Sequence, residues 1–214
     1  MIRQFKKATS GFVYWLAVAL LWALVKVLFR LRVHGRDMIR RSGGYIAVAR
    51  HRSYWDAPIL AVAVGWPNRI HFVARKGLGR RFPMIAPLLR LFATVIDRDR
   101  FRLADYRRLR TAVQRERLVG IFPEGTTRQQ VDPKAGAVHF ARISGKPLLP
   151  ISIRPQGHYP PKYPVRFPQV TVTIGEPITV EELEIAASSS AASGAETERT
   201  LSARLMERVD AVEP

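Results

Sequence analysis

The apolar positions of this chain fall into short runs, broken at regular intervals by polar or turn-forming residues. Alternation over Arg30–His34 predicts a strand. The compact apolar runs Tyr45–Ala49, Ile70–Ala74, Ala93–Ile96, Leu118–Phe122, Leu148–Ile153 and Val170–Ile174 predict further strands. Helical spacing lies between them, over Asp56–Val64, Met84–Phe92, Arg102–Arg117 and Ala135–Ser144. Pro58 is compatible with helix only in a first turn, and Gly145 is a stop signal. Ala186–Gly194 is rich in Ala and Ser and reads as a flexible linker, followed by a charged helix over Glu196–Val209. Strands alternating with helices predict an α/β fold with a largely parallel central sheet flanked by helices. The expected organisation is an N-terminal apolar helix over 1–30, one α/β domain over 31–185, and a linker plus C-terminal helix over 186–214.

The N-terminus breaks the alternation. Phe12 to Val25 carries no charge, is preceded by Arg3, Lys6 and Lys7, and is followed by Lys26 and Arg30. A signal peptide needs a small-residue cleavage site after its apolar stretch, and none follows. A spanning helix needs about 20 apolar residues, and Lys26 arrives too early for one. Tyr14, Trp15 and Trp22 suit the headgroup interface, where amphipathic rings collect. The pattern points to a membrane-binding helix lying in one leaflet, with a buried core helix and a tilted span as the alternatives.

Composition narrows the partners. The chain has 214 residues, enough for one domain with a substantial core. Lys and Arg total 35 against 17 acidic residues, a formal charge of +18 that calls for an anionic partner. An anionic membrane surface, a phosphorylated substrate and nucleic acid all qualify. Nucleic acid is not expected, because no binding motif or aromatic–basic stripe is present and the apolar N-terminus would go unexplained. There is no cysteine, which removes thiol nucleophiles and thiolate metal sites. His34, His71, His139 and His158 share no ligand spacing, so no metal is expected.

Two polar clusters directly follow predicted strands, the place where open α/β sheets bind ligands. In His51-Arg-Ser-Tyr-Trp-Asp56, five residues of separation at a helix start can bring the carboxylate back to the imidazole. A carboxylate on one ring nitrogen fixes the tautomer and leaves the other nitrogen as a general base. The same Asp56 is also placed to cap its helix. Ser53, two residues from His51, reads as a capping hydroxyl rather than a nucleophile. The second cluster is Phe122-Pro-Glu-Gly-Thr-Thr-Arg128. Gly125 permits positive φ, and Thr126 and Arg128 add donors for an anion. An ordinary glycine turn would need no Glu124.

Taken together, His51-x4-Asp56 and Phe122-Pro-Glu-Gly-Thr126 resemble the glycerolipid acyltransferases, closest to the 1-acylglycerol-3-phosphate O-acyltransferases (lysophosphatidic acid acyltransferases). Two further blocks fall in the family's order: Phe72–Lys76 through Pro83 to Val95-Ile-Asp-Arg98, and Leu148-Leu-Pro150-Ile. Lys134-x-Gly136 ahead of a helix also fits. The resemblance runs from about Val33 to Ile153 and implies transfer of a fatty acyl group from a thioester, acyl-CoA or acyl-carrier protein, to the hydroxyl of a lysophospholipid. In that scheme 1-acylglycerol-3-phosphate would become phosphatidic acid, with no cofactor and no metal. It further implies His51 as base, Asp56 as its orienting group, and Arg98, Glu124, Gly125, Thr126, Arg128 and Lys134 at the acceptor. The expected location is the cell membrane, monotopic or peripheral, with the site facing the cytoplasm. Three departures bear on the acceptor: Arg50 stands where the family usually has Asn, Gly77 where it has Glu, and Thr127 where phosphatidate-forming members have Arg. The same chemistry on another lysolipid, or a non-catalytic basic binding protein, are the competing readings.

Overall fold

The computed structural model describes residues 16, 19–65, 68–97, 100–127, 132–161, 167–187 and 194–214. The apolar runs form β1 (Arg32–His34), β2 (Tyr45–Val48), β3 (Ile70–Arg75), β4 (Ala93–Ile96), β5 (Leu118–Ile121), β6 (Leu148–Gln156) and β7 (Gln169–Ile174). The helices are α1, described over 19–28, then α2 (Asp56–Ala63), α3 (Leu78–Arg81), α4 (Ala86–Phe92), α5 (Leu103–Arg115), α6 (Gly136–Ser144), α7 (Val180–Ala187) and α8 (Gly194–Ala211).

The strands make one sheet in the order β1-β7-β6-β2-β5-β3-β4. Every pairing is parallel except β6 with β7. Strand β2 is buried along its whole length, and its alternating side chains feed two separate cores. Tyr45, Ala47 and Ala49 pack with Val25 and Phe29 at the end of α1 and with Ile59, Leu60 and Ala63 of α2. Ile46 and Val48 point the other way, onto Leu109 and Val113 of α5, Val138 and Phe140 of α6, and Leu201 and Leu205 of α8. A strand covered on both faces needs an unbroken apolar run, which is what Tyr45–Ala49 supplies.

The register places the two polar clusters side by side. Tyr45 lies opposite Leu118 and Val48 opposite Ile121, so β2 and β5 end level and deliver His51 and Glu124 to the same edge. Strand β6 is also in line, with Val48 opposite Pro150.

The elements depart from the sequence pattern in three respects. The run expected as one helix over Met84–Phe92 is a 3-10 turn, Pro83–Ile85, followed by α4. Pro87 occupies the first turn of α4, where its missing N–H costs no hydrogen bond. Neither α3 nor α7 was expected, although for α7 Thr179 and Glu182 carry a capping-box signature. Each side chain accepts from the other's backbone N–H, at 2.7 Å to Glu182 Oε2 and 3.2 Å to Thr179 Oγ1. The third is the antiparallel return of β7 against β6, which amphipathic period alone does not distinguish from a parallel one. Residues 188–193 of the expected linker, and residues 12–15, 17 and 18 of the Phe12–Val25 run, lie outside the described residues.

Candidate active site

His51 follows β2 by three residues, and Asp56 opens α2. Their side chains meet, with His51 Nδ1 3.2 Å from Asp56 Oδ2. Asp56 does not cap its own helix. Its Oδ2 instead accepts from the backbone N–H groups of Arg52 and Ser53, at 2.6 and 2.7 Å. The carboxylate therefore ties down the turn that carries the imidazole. Its other oxygen, Oδ1, accepts a hydrogen bond from the Tyr159 hydroxyl. Asp56 is 1% exposed, so these donors replace the water that a carboxylate would otherwise need. Burial, and then the charge of Asp56, push the Tyr159 phenol far above its ordinary range, which keeps it a donor. Ser53 is buried and its hydroxyl accepts from Trp55 N–H at 3.2 Å, the local role expected of it.

An Asp acceptor on Nδ1 assigns the proton to that nitrogen and leaves the Nε2 lone pair available. Among the described residues Nε2 has no hydrogen-bond partner. The ring is held from behind by Phe122, stacked at a centroid distance of 4.3 Å and 18°. Phe122 in turn lies parallel to Phe72 of β3 at 6.1 Å. The His51 side chain is 18% exposed, a partly open base on a rigid aromatic backing.

Glu124 is turned inward. One carboxylate oxygen accepts the backbone N–H of His51 at 2.8 Å, and the other accepts from Arg50 Nη1 at 2.7 Å. The remaining donors of Arg50 reach Asp210 near the end of α8, at 2.9 and 2.5 Å. Hydrogen bonding to Asp210 and then to Glu124 raises the Arg50 pKa above its ordinary value, against the effect of burial. Where the family usually has Asn, this chain thus uses a guanidinium to fasten the β2 loop, the β5 loop and α8 together.

Gly125 adopts φ +67° and donates its N–H to Phe122 O at 3.0 Å, closing the turn after β5. Thr126 is half-buried on the same turn, and Lys134 is exposed, with its backbone N–H on Pro123 O at 3.0 Å. The structure therefore gathers His51, Asp56, Glu124, Gly125, Thr126 and Lys134 at one edge of the sheet. Arg98 and Arg128 lie outside the described residues. Among the described residues no cluster of three His, Asp or Glu side chains is placed to hold a metal. Sequence reasoning missed Tyr159 and Asp210. Neither carries a motif, and only the fold brings them to the pair.

The fold is that of an α/β protein, and at the carboxyl edge of its sheet a partly open histidine paired with a buried carboxylate has the geometry that general-base chemistry requires. The chain belongs to the acyltransferase family, whose profile matches residues 30–154 and so spans the β1–β6 region that holds both clusters. It is 28% identical over 159 residues to the 1-acyl-sn-glycerol-3-phosphate acyltransferase of Bacillus subtilis (strain 168), covering 72% of this chain and 78% of that protein. The crystal structure of the 1-acyl-sn-glycerophosphate (LPA) acyltransferase PlsC from Thermotoga maritima superposes with a TM-score of 0.63 at 22% identity. That match covers 92% of this chain and 81% of the other, and it establishes the shared fold.

Proposed function

We propose that this enzyme transfers a fatty acyl group from acyl-CoA or acyl-carrier protein to the free hydroxyl of a lysophospholipid, with 1-acylglycerol-3-phosphate as acceptor and phosphatidic acid as product. The observation that carries the chemistry is the His51 Nδ1–Asp56 Oδ2 contact, which leaves Nε2 unengaged. Nε2 takes the proton of the acceptor hydroxyl as that oxygen attacks the thioester carbonyl. Asp56 holds the tautomer and offsets the charge of the imidazolium. Collapse of the tetrahedral intermediate breaks the carbon–sulfur bond, and the departing thiolate recovers the proton from Nε2. Histidine acts directly as base, so no acyl-enzyme is formed.

The named relatives support the acceptor. Arg98, Arg128 and Lys134 are assigned to its phosphate, and the Gly125–Thr126 turn to the shape of its site. Thr127, standing where phosphatidate-forming members have Arg, favours one second reading: the same transfer to another lysolipid.

Membrane association completes the proposal. Helix α1 buries Val25, while Leu20, Leu24 and Val27 face outward, Val27 at 74% exposure. Lys26 Nζ lies over the Trp22 ring at 4.5 Å. No helix of the described residues is long and apolar enough to cross a membrane. We assign α1 to a monotopic attachment on the cytoplasmic face, where an anionic surface would attract the +18 charge.

Purified enzyme incubated with labelled acyl thioester and a panel of lysolipids tests the reaction. Phosphatidic acid from 1-acylglycerol-3-phosphate is the expected product, and His51→Ala should lower the rate by about 10²–10⁴. Unchanged thioester consumption in that variant would sink the assignment.

A further inference from the structure

The stretch from α2 through β4 has a composition that the fold does not use. From Ala57 to Ile96, 40 residues, the chain carries no Asp or Glu and six cations: Arg69, Arg75, Lys76, Arg80, Arg81 and Arg90. Within it, α4 reads Ala-Pro-Leu-Leu-Arg-Leu-Phe, yet none of its residues is buried, and α3 buries none either. An apolar helix of a globular domain normally turns its apolar side chains into the core. Here Phe82 is exposed at 37% and Leu91 at 45%. Among the described residues Arg80, Arg81 and Arg90 pair with no carboxylate.

This surface sits at the mouth of the site. The Phe82 ring meets Tyr54 edge-on at 5.4 Å. Tyr54 is half exposed and lies inside the His51–Asp56 turn, three residues from the base. Exposed aromatic and aliphatic side chains interleaved with cations that meet no carboxylate, Arg81 lying over the Phe82 ring at 5.7 Å, match a bilayer surface chemically: rings and methyls at the acyl boundary, guanidinium groups among anionic headgroups.

We propose that α3, Phe82 and α4 form a second membrane-docking surface, separate from α1, which seats the mouth of the His51 site on an anionic bilayer. The inference rests on the reading that the acceptor is a membrane lipid. Two attachments fix orientation where one fixes only proximity. With α1 alone the domain can swing about its anchor. With α4 also seated, the Tyr54–Phe82 pair borders the lipid, and an acceptor would reach His51 without crossing water.

The absence of cysteine makes a site-specific test direct. Leu91→Cys in the full chain is labelled with a polarity-sensitive fluorophore and mixed with phosphatidylcholine vesicles containing phosphatidylglycerol and a bilayer-embedded quencher. Ile185→Cys on α7, 75% exposed, is the matched control. The expected result is a blue-shifted, quenched signal at position 91 and an unchanged one at 185. Arg80→Ser and Arg81→Ser should each weaken partitioning to the anionic vesicles roughly fivefold, with little effect on neutral ones. Three results overturn the proposal: a water-exposed label at position 91 on vesicle-bound protein, equal quenching at both positions, or a position-91 label already dry without vesicles. The first and the third leave membrane attachment through α1 intact. Failure of the protein to bind vesicles at all overturns the whole membrane reading.

Discussion

The Tyr159 hydroxyl donates to Oδ1 of Asp56, which lies 103 positions earlier in the chain. Asp56 spends its second oxygen on His51 and on two backbone N–H groups, so the carboxylate is held from both sides. Tyr159→Phe removes one donor to a buried charge. A hydrogen bond to a charged group is worth about 1.5–3 kcal/mol. The variant should fold, melt at a lower temperature, and lose about tenfold in kcat with a smaller change in KM, as steady-state acyl-transfer assays would register.

Asp56→Asn separates orienting the base from capping a helix. An amide oxygen can still accept from His51 Nδ1, Arg52 N and Ser53 N, which share Oδ2. Its NH2 replaces the oxygen that accepts from Tyr159, and the charge that offsets the imidazolium is lost. Because the carboxylate serves the turn and the imidazole, kcat should fall about 10²–10⁴-fold. If Asp56 served only α2, thermal stability would drop and the turnover of the folded fraction would be kept. Circular dichroism beside turnover distinguishes the two.

Arg50 offsets the charge of a nearly buried carboxylate, Glu124 at 7% exposure. Among the described residues, Arg50→Met leaves that group with only the His51 N–H. Arg50 itself is one-third exposed, so the cost is discounted from that of a fully buried pair to about 1–3 kcal/mol. Urea unfolding should show the loss, and Glu124→Gln combined with Arg50→Met should recover part of it by removing the unpaired charge.

Gly120 sets the aromatic backing of the base. A Cβ there would meet the Phe72 ring at 2.7 Å and Ile70 Cδ1 at 3.0 Å. Phe72 stacks on Phe122, which stacks on His51, so displacement passes toward the imidazole. Gly120→Ala should destabilise by about 1–3 kcal/mol through overpacking and lower kcat beyond what the folded fraction explains. Melting curves and turnover on the same preparation test both parts.

His71 gives the fold a pH dependence. Burial lowers its pKa below the ordinary 6.5, with Glu116 opposing and Arg69 reinforcing the shift. Its Nε2 contacts Thr94 Oγ1 at 2.9 Å, and its buried Nδ1 has no hydrogen-bond partner among the described residues. Below pH 6.5 the unfolded chain binds this proton first, so stability falls as pH drops from 6.5 to the folded value and then levels. His71→Gln should flatten that part of the melting-temperature profile.

Much of the architecture was legible from the chain alone. The strand expected over Ala93–Ile96 is β4 to the residue, and the other apolar runs became strands within a few positions. The Asp56–Val64 pattern became α2, because four of its eight residues, Ile59, Leu60, Val62 and Ala63, face the core that needs them. The break at Pro83 and helix α7 were less legible, since short helices are set by contacts and caps more than by period. In the site, His51 and Asp56 could be paired from spacing because five residues at a helix start is a local geometry.

The rest depended on distance along the chain. Sequence determined the parts: which runs would be strands, that two polar clusters follow two of them, that the surface is strongly basic, and which family the clusters resemble. Each is a local property, fixed by side-chain period, turn chemistry or residue type. Only the tertiary structure decided that β2 and β5 end level, which aims the Glu124 carboxylate at the His51 backbone N–H. It alone decided that Tyr159 reaches Asp56 and that Asp210 closes on Arg50. Those contacts come from register and from packing between elements far apart in sequence, where many alternative pairings satisfy the same local pattern and only the assembled core selects one.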